Sequence, residues 1–436
     1  MTPSDFVPIR VVEVDISRPL NNQAAETHGS PPARSRFMLL VRLHETPIGI
    51  LQLESCEQVL SADKLADAIQ QGLGQAIADH LALDGLTIAQ PLTRAGLPFE
   101  GQPACLARQA ALIENPPLVS VIIGTRDRAQ QLATALDSIL AQTYPCFEVI
   151  VVDNAPRSDD TRGLIEERYH DTPQVRYVRE DRPGLANAHN AGVAQARGSI
   201  LAFVDDDLRI DRCCLSALVA AFRAVDGAGC VAGMILPAVL ENPAQLWFEQ
   251  YSRFNQGLAV EVFDLELHRR DNPLYPYAVG SFGSGANMAF SREAIEAIGG
   301  FDPALGTGTS ALGGDELAAF LDILLAGFRL VYEPRALVWH SHPAEYEHVR
   351  NRAYCYGVGL TAYLTRVVVR YPRHGLTMLT RLPKAVAYIF SPASPKNTIK
   401  ALDYPKELDR LERLGMLAGP LAYIRSRWSV GLASHG

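Results

Sequence analysis

The sequence has few features that would indicate a cysteine-based metal or redox site. Its seven cysteines are scattered over 436 residues, without a C-x-x-C pair or any other metal-ligand spacing. An odd number of scattered thiols is typical of a protein in a reducing compartment. His44 and His80 are isolated from other candidate ligands in the sequence. We therefore expect both histidines to be structural or exposed.

Long apolar runs and an excess of basic residues are also missing. No run reaches 18 apolar residues, and the N-terminus has no basic segment followed by an apolar one. The sequence therefore predicts no transmembrane helix and no secretory signal. The formal net charge of −8 argues against nucleic-acid binding. We expect a cytoplasmic protein.

The pattern of apolar residues divides the chain into four regions. Residues 1–83 are predicted to form a small α/β module of unknown role, with a helix that begins after Ser61 as N-cap. Residues 84–117 are rich in proline and are predicted to be a linker. Residues 118–345 alternate between buried strands and amphipathic helices, as in a doubly wound, mostly parallel α/β sheet. Residues 346–436 are predicted to be helical and basic.

Four further segments of the third region carry predictions of their own. Residues 237–280 are rich in aromatic residues, which suits either a lid or acceptor surface or ordinary packing. Residues 283–287 are predicted to be a glycine-rich loop before a helix at Ser291. Phe328–Tyr332 and Ala336–Trp339 are predicted to be two separate strands.

Polar side chains follow several of the predicted strands of residues 118–345. Thr125 and Arg126 end the first strand, Asp153 ends the second, and three aspartates end the fourth at 205–207. Because the carboxyl ends of parallel strands meet at one edge of a sheet, these side chains should converge.

The three consecutive aspartates predict a metal site. Adjacent carboxylates repel one another unless a cation joins them, and carboxylate oxygens are the ligands that Mg²⁺ and Mn²⁺ prefer. We expect Asp205 and Asp207 to hold Mg²⁺ or Mn²⁺ against a phosphate. The alternative is a solvated acidic loop in which Asp211 caps the next helix.

Residues 118 to about 345 resemble the family 2 glycosyltransferases, which are inverting nucleotide-sugar enzymes with the GT-A fold. Six segments carry the resemblance: V-S-V-I-I-G-T-R-D-R at 119–128, V-I-V-V-D-N-A at 149–155, G-L-A-N-A-H-N-A-G at 184–192, F-V-D-D-D at 203–207, G-A-N-M-A-F at 285–290 and G-G-D-E-L at 313–317.

The resemblance implies a role for each motif residue. Asp205 and Asp207 match the D-x-D metal motif, and His340 matches a histidine that completes the metal shell. Asp153 matches the acid that reads the nucleotide base and ribose, and Arg182 suits the pyrophosphate. The donor site is implied to comprise Thr125, Arg126, Asp153, Arg182, Asn190, Asp205 and Asp206.

The catalytic base is implied to be one of two adjacent acids. The family usually has Glu-Asp at this point, with the second acid as base, whereas this chain has Asp315 followed by Glu316. Position favours Glu316 and residue type favours Asp315. Both also suit the first turn of a helix, where acids complement the helix dipole.

The resulting hypothesis is a metal-dependent, inverting hexosyltransferase. Its donor would be a UDP- or dTDP-sugar, with a guanosine donor as an alternative, and its acceptor a glycan, glycolipid or cell-envelope hydroxyl of polysaccharide biosynthesis. The rival functions are a sugar-nucleotide pyrophosphorylase, which would need a glycine-rich basic loop after the first strand, and a non-catalytic carbohydrate-binding scaffold. An aspartate-dependent phosphatase would place its D-x-D on the first strand.

The C-terminal region predicts a contact with a membrane surface. Residues 365–436 contain twelve Lys and Arg against four Asp and Glu, a balance of +8, so the preceding residues carry −16. Basic residues alternate with aromatic ones between 365 and 428, which suits the headgroups of an anionic membrane at its inner face. The alternative is that these basic residues pair with the acidic remainder of the chain.

Overall fold

The computed structural model describes residues 6–24, 35–57, 59–87, 90–112, 114–398, 400 and 403–433. The chain divides into two compact units. The N-terminal unit comprises residues 1–116, 237–246 and 257–259, and the C-terminal unit comprises residues 117–236, 247–256 and 260–436. The chain passes from the first unit to the second after residues 116, 246 and 259, and the second of these points lies within the helix α7 (Pro243–Ser252).

The N-terminal unit is a small α/β structure. Its elements are β1 (Ile9–Asp15), β2 (Gln23–Ala24), β3 (Ser35–Leu43), β4 (Thr46–Ser55), β5 (Val59–Leu60), α1 (Ala62–Leu83) and α2 (Ala104–Leu112). A three-stranded sheet has the order β1-β3-β4, in which β1 is parallel and β4 antiparallel to β3. Helix α1 begins after Ser61, whose hydroxyl accepts a hydrogen bond from the Lys64 N–H at 3.3 Å. The predicted N-cap is therefore confirmed.

The predicted linker at 84–117 is wrong, because much of it belongs to the N-terminal unit. Leu86, Leu92 and Leu97 are buried in the same core as Leu65 and Ile69 of α1. Burying a leucine side chain stabilises a fold by about 1.5–3 kcal/mol, so these residues hold the segment against the module. Its prolines interrupt regular hydrogen bonding but leave the intervening leucines free to pack.

The C-terminal unit contains a nine-stranded mixed sheet. Its strands are β6 (Val119–Thr125), β7 (Phe147–Asn154), β8 (Val175–Glu180), β9 (Ile200–Val204), β10 (Leu208–Ile210), β11 (Ala228–Pro237), β12 (Glu261–Phe263), β13 (Asn287–Ser291) and β14 (Arg329–His340). The strand order is β10-β14-β11-β13-β9-β6-β7-β8, with β12 paired to β14. The strands β9, β6, β7 and β8 are parallel to one another, which confirms the predicted α/β class.

The helices of the C-terminal unit follow its strands and then form a long C-terminal region. They are α3 (Ala129–Leu140), α4 (Asp160–Arg168), α5 (Leu185–Gln195), α6 (Cys214–Ala224), α8 (Arg292–Ile298), α9 (Asp315–Leu325), α10 (Tyr346–Arg370), α11 (Pro372–Phe390), α12 (Pro395–Thr398) and α13 (Lys406–Ala433). Among the described helices, none is both long enough and apolar enough to cross a membrane.

Two predictions of strands need correction. The segments predicted as two strands at 328–332 and 336–339 are one strand, β14, which continues through Pro334. The predicted loop at 283–287 ends in β13, which runs antiparallel to β9 and β11. A five-residue strand between two others has no clear polar alternation, because both of its faces are covered.

Candidate active site

Tight hydrogen bonds join the carboxyl ends of β6 and β9. Thr125, the last residue of β6, donates its hydroxyl hydrogen to Asp206 Oδ2 at 2.7 Å. Arg128 donates to Asp206 Oδ1 at 2.8 Å, and its Nη1 also lies 3.3 Å from Asp207 Oδ2. Asp153 pairs with Thr125 in the register of β6 and β7. The predicted convergence of these strand ends is therefore present.

The strand register also brings His340 to Asp207. Leu208 of β10 pairs with His340, the last residue of β14, in an antiparallel ladder. His340 Nε2 lies 3.7 Å from Asp207 Oδ1. This carboxylate oxygen is buried and accepts no hydrogen bond from any described residue. An orphaned carboxylate oxygen beside an imidazole nitrogen fits a divalent cation.

Hydrogen bonds from Glu249 through His342 indicate which nitrogen of His340 carries its proton. His342 Nε2 lies 2.7 Å from Glu249 Oε2, and His342 Nδ1 lies 2.8 Å from His340 Nδ1. Because the carboxylate of Glu249 accepts, we assign a proton to Nε2 of His342 and the acceptor role to its Nδ1. His340 therefore donates from Nδ1 and presents the lone pair of Nε2 towards Asp207.

Burial sets the charge of the groups at this edge. It lowers the pKa of His340 to about 4, so the imidazole is neutral and free to act as a ligand. Burial, together with the charges of Asp207 and Asp206, raises the pKa of Asp205. The guanidinium of Arg352 acts in the opposite direction on Asp205. A bound cation would favour the ionised carboxylates in the same way.

Helix α9 supplies the two acids predicted as candidate bases. Gly314, its N-cap, has φ 86°, and a Cβ there would lie 2.6 Å from the carbonyl oxygen of Gly359. Only glycine fits this position, and Asp315 and Glu316 follow in the first turn. Burial raises the pKa of both acids, and the charge of Asp315 raises that of Glu316 further.

One cavity of about 800 Å³ is lined both by the candidate metal ligands and by the two candidate bases. Asp205, Asp207, His340, Asp315 and Glu316 all line it. Its wall also includes residues from the segment after 246 and from α10: Phe248, Tyr251, Phe254, His348, Asn351, Arg352 and Tyr356. Of the aromatic residues at 237–280, Phe248, Tyr251 and Phe254 line the cavity, whereas Tyr275 and Tyr277 are buried and are not among its lining residues.

Several residues predicted to bind the donor lie outside this cavity. Thr125 and Asp206 are hydrogen-bonded to one another, and neither they nor Arg126 are among the lining residues. Asp153 is fully buried and accepts a hydrogen bond from the Tyr177 hydroxyl at 3.0 Å. Its Oδ1 is buried without a partner among the described residues, and burial raises its pKa.

The contacts of two predicted donor-binding residues point to other roles. Asn190 donates to the carbonyl oxygen of Phe301 at 2.8 Å and accepts from the N–H of the same residue at 2.9 Å. Both ends of the amide are therefore used in joining α5 to the loop before α9. Arg182 donates twice to Glu180, at 2.9 and 2.8 Å, and lies outside the cavity lining.

Sequence reasoning missed several residues of the cavity. Arg128 and His189 stand within the quoted motifs, so that signal was available. His189 is buried, which lowers its pKa to about 3, and its Nδ1 lies 3.8 Å from Asp315 Oδ2. Glu249 and Arg352 lie far from every motif, and only the folded chain brings them to the site.

Comparisons with known proteins agree with this geometry. The model of the family described as Glycosyl transferase family 2 matches residues 120–299, which include Asp205 and Asp207. The uncharacterised protein y4gI of Sinorhizobium fredii is 28% identical over 63% of this chain and 29% of its own length. The pre-mycofactocin glycosyltransferase of Mycobacterium tuberculosis is 29% identical over 58% of this chain and 48% of its own length. This chain therefore spans about half or less of these relatives.

A solved structure is also similar in part. The mannosyltransferase PcManGT from Pyrobaculum calidifontis, in complex with GDP-Man and Mn²⁺, has 20% identity and a TM-score of 0.40. The similarity covers 76% of this chain and 82% of the other. The family match and the strand-end motifs identify residues 120–299 as a region of the family 2 glycosyltransferase type.

Proposed function

We propose that this chain transfers a sugar from a nucleoside diphosphate to an acceptor hydroxyl, with inversion at the anomeric carbon. One observation carries the proposal: Asp205, Asp207 and His340 line the same cavity as the acid pair Asp315 and Glu316. Such an arrangement places groups suited to a diphosphate opposite a carboxylate suited to a hydroxyl.

Asp207 and His340 are the residues that would hold the divalent cation, with Asp205 beside them. The orphaned Asp207 Oδ1 and the outward lone pair of His340 fit Mn²⁺ or Mg²⁺. When bound, the cation would supply charge stabilisation on the diphosphate leaving group. Arg128 and Arg352 also line this cavity, so we assign them to the diphosphate in preference to Arg182.

Glu316 is the base that the electrostatics favour. Its pKa is raised by burial and by the charge of Asp315, which moves it towards the value of an efficient base at neutral pH. Glu316 would take the proton of the acceptor hydroxyl while the acceptor oxygen attacks the anomeric carbon. The bond from that carbon to the diphosphate oxygen breaks, and the nucleoside diphosphate leaves. One displacement of this kind inverts the anomeric centre.

Asp153 is the residue that would read the nucleotide. Its buried Oδ1 is a free acceptor among the described residues, which suits an N–H of a pyrimidine base. We propose UDP- and dTDP-sugars as donors, with a GDP-sugar as the alternative. The acceptor that we propose is a hydroxyl of a glycan or of a lipid-linked or cell-envelope molecule.

A panel of UDP-, dTDP- and GDP-sugars, with Mn²⁺ or with chelator, tests the proposed reaction. We expect release of the nucleoside diphosphate from at least one sugar, slowly with water as acceptor, and only with the divalent cation. A pyrophosphorylase would instead need pyrophosphate and release a nucleoside triphosphate. A binding scaffold would show no turnover with any donor, and a product with the donor's anomeric configuration would contradict inversion.

We further propose that α11 and α13 lie on an anionic membrane surface. Large apolar side chains are exposed at helical spacing on both helices: Leu376, Leu379, Leu382, Val386 and Phe390 on α11, and Leu414, Leu417, Leu421, Ile424, Trp428 and Leu432 on α13. The two helices meet where Arg413 lies over the Phe390 ring at 4.5 Å. Exposed apolar stripes beside basic residues suit the interface of an anionic bilayer.

Some of the basic and aromatic residues expected at this surface have other partners. Arg366 is buried and donates to Asp322 at 2.7 and 2.6 Å, while Lys396 pairs with Glu412 and Lys400 with Asp409. Tyr404 and Tyr423 are buried. The side chains left at the surface include Arg373, Lys384, Arg425 and Arg427. The proposal therefore rests on apolar stripes with fewer charges than the sequence predicts.

A further inference from the structure

Four potential metal ligands from three segments of the chain meet in the N-terminal unit. His44 lies in the turn between β3 and β4, His80 and Asp84 lie at the end of α1, and Cys105 lies in the first turn of α2. One ligand atom from each side chain lies within 4.8 Å of every other. His44 and Asp84 are buried, and His80 and Cys105 are half-buried.

Five of the distances between these four atoms lie between 2.8 and 4.0 Å. Asp84 Oδ2 lies 2.9 Å from His44 Nδ1, 3.2 Å from His80 Nε2 and 2.8 Å from Cys105 Sγ. His80 Nε2 lies 3.3 Å from His44 Nδ1 and 4.0 Å from Cys105 Sγ. Four atoms of three ligand types thus stand at the corners of a small polyhedron.

This polyhedron has the size of a zinc coordination shell. Zinc binds nitrogen and oxygen at about 2.0–2.2 Å and sulfur at about 2.3 Å, in a tetrahedron. Such a tetrahedron has edges of roughly 3.3–3.8 Å by simple geometry from those bond lengths. The observed separations lie on both sides of this range, so small side-chain movements would bring all four atoms to bonding distance.

Neighbouring groups hold the ligands in this orientation. The backbone N–H of Cys105 donates to Asp84 Oδ1 at 2.8 Å, and Arg108 lies 3.5 Å from the same oxygen. Asp84 therefore turns its other oxygen towards the two histidines. Phe99 packs edge-on against His44 with ring centres 4.6 Å apart. Outer contacts of this kind are what orient ligands at metal sites.

We propose that His44, His80, Asp84 and Cys105 form a structural zinc site. Mixed nitrogen and sulfur ligands in a tetrahedron are typical of zinc, and four protein ligands leave no position open for a substrate. Binding releases the thiol proton of Cys105, so that the thiolate becomes the ligand. The ion would fasten the β3–β4 turn to the end of α1 and to α2, all within the N-terminal unit.

The test is made on the untagged full chain, purified under reducing conditions without added metal. We expect about one zinc per chain by elemental analysis, as four protein ligands predict. After chelation and reloading with Co²⁺, we expect a thiolate-to-cobalt charge-transfer band. A chain that holds no zinc above background and gives no such band would overturn the proposal.

Cysteine variants locate the band. Cys105→Ser should abolish it, whereas Cys355→Ser, which changes a thiol of the cavity in the C-terminal unit, and Cys56→Ser, which changes an exposed thiol, should keep it. Loss of the band in Cys355→Ser with retention in Cys105→Ser would contradict the assignment. If Cys105→Ser fails to fold, His80→Gln should fold and bind less zinc, and the spectrum of the unaltered chain still decides.

Discussion

At the scale of single residues, the account depends on which atoms carry protons. Glu249 lies outside every motif in the sequence. Through its hydrogen bond to His342 it nevertheless sets the tautomer that we assign to His340. Glu249→Gln offers an amide that can donate as well as accept, so His342 is no longer held in one tautomer. We expect the apparent Mn²⁺ affinity in the presence of nucleotide to fall about 10–100-fold, as for other outer contacts of metal ligands.

Glu347→Gln is the matched control for Glu249→Gln, because Glu347 is an exposed residue of α10 paired with Arg350. Its Mn²⁺ titration should match that of the unaltered chain. Equal Mn²⁺ affinities for the unaltered chain and for Glu249→Gln would show that the hydrogen-bonded chain does not act on the metal site.

The assignment of the base gives a second prediction at this scale. Glu316→Gln should lower kcat about 10²–10⁴-fold while donor affinity changes little, because the base acts on the acceptor. Since the pKa of Glu316 is raised, the active ionised form accumulates only as pH rises above the usual carboxyl range, and kcat of the unaltered chain should rise with pH there. An inactive Asp315→Asn variant beside an active Glu316→Gln variant would reverse the two roles.

At the scale of elements, the C-terminal helices pack through small residues. A Cβ added at Gly415 of α13 would lie 2.2 Å from the carbonyl oxygen of Tyr354 in α10, whereas one added at Gly431 would meet nothing within 4 Å. Gly415→Ala should therefore lower the free energy of unfolding by about 1–3 kcal/mol. Gly431→Ala, in the same helix, should leave it unchanged or raise it slightly. Denaturant unfolding of both variants decides, and equal midpoints would contradict the packing.

The elements that sequence reasoning predicted best are those with long local patterns. The fourth predicted strand, β9, ends directly before the three aspartates, as predicted, because its five apolar residues are buried and charged residues follow them. Strand β13 was missed because a short buried strand after glycines has no alternation to detect. The linker was wrongly predicted because prolines indicate irregular backbone but do not show whether Leu86 or Leu92 is buried.

The two candidate metal sites also differ in whether a local sequence pattern indicates them. Asp205 and Asp207 are two residues apart in a recognisable motif, so the sequence alone predicted them. The four ligands of the N-terminal unit come from three segments between 44 and 105, and only tertiary packing joins them. Glu249 and Arg352 were missed for the same reason, because no local pattern connects them to the strand ends.

At the scale of the whole molecule, the uneven charge of the chain and its exposed apolar stripes predict that it binds to anionic membranes. Binding to vesicles should increase with anionic lipid and weaken with salt, because the remaining basic residues act through a screened potential. Sedimentation of the full chain measures it. Leu421→Glu with Trp428→Glu should reduce binding, and Leu83→Glu, at an exposed position of the N-terminal unit, should not. Equal sedimentation with neutral and anionic vesicles would contradict the proposed surface.

The central claim is that Asp207 and its neighbours bind a divalent cation together with a nucleotide. Titrating Mn²⁺ into the chain in the presence of UDP, and into Asp207→Asn under the same conditions, tests it most directly. The account predicts tight nucleotide binding that requires Mn²⁺ in the unaltered chain and is lost in a variant with the same melting temperature. Nucleotide binding that is equally linked to Mn²⁺ in both proteins would contradict it.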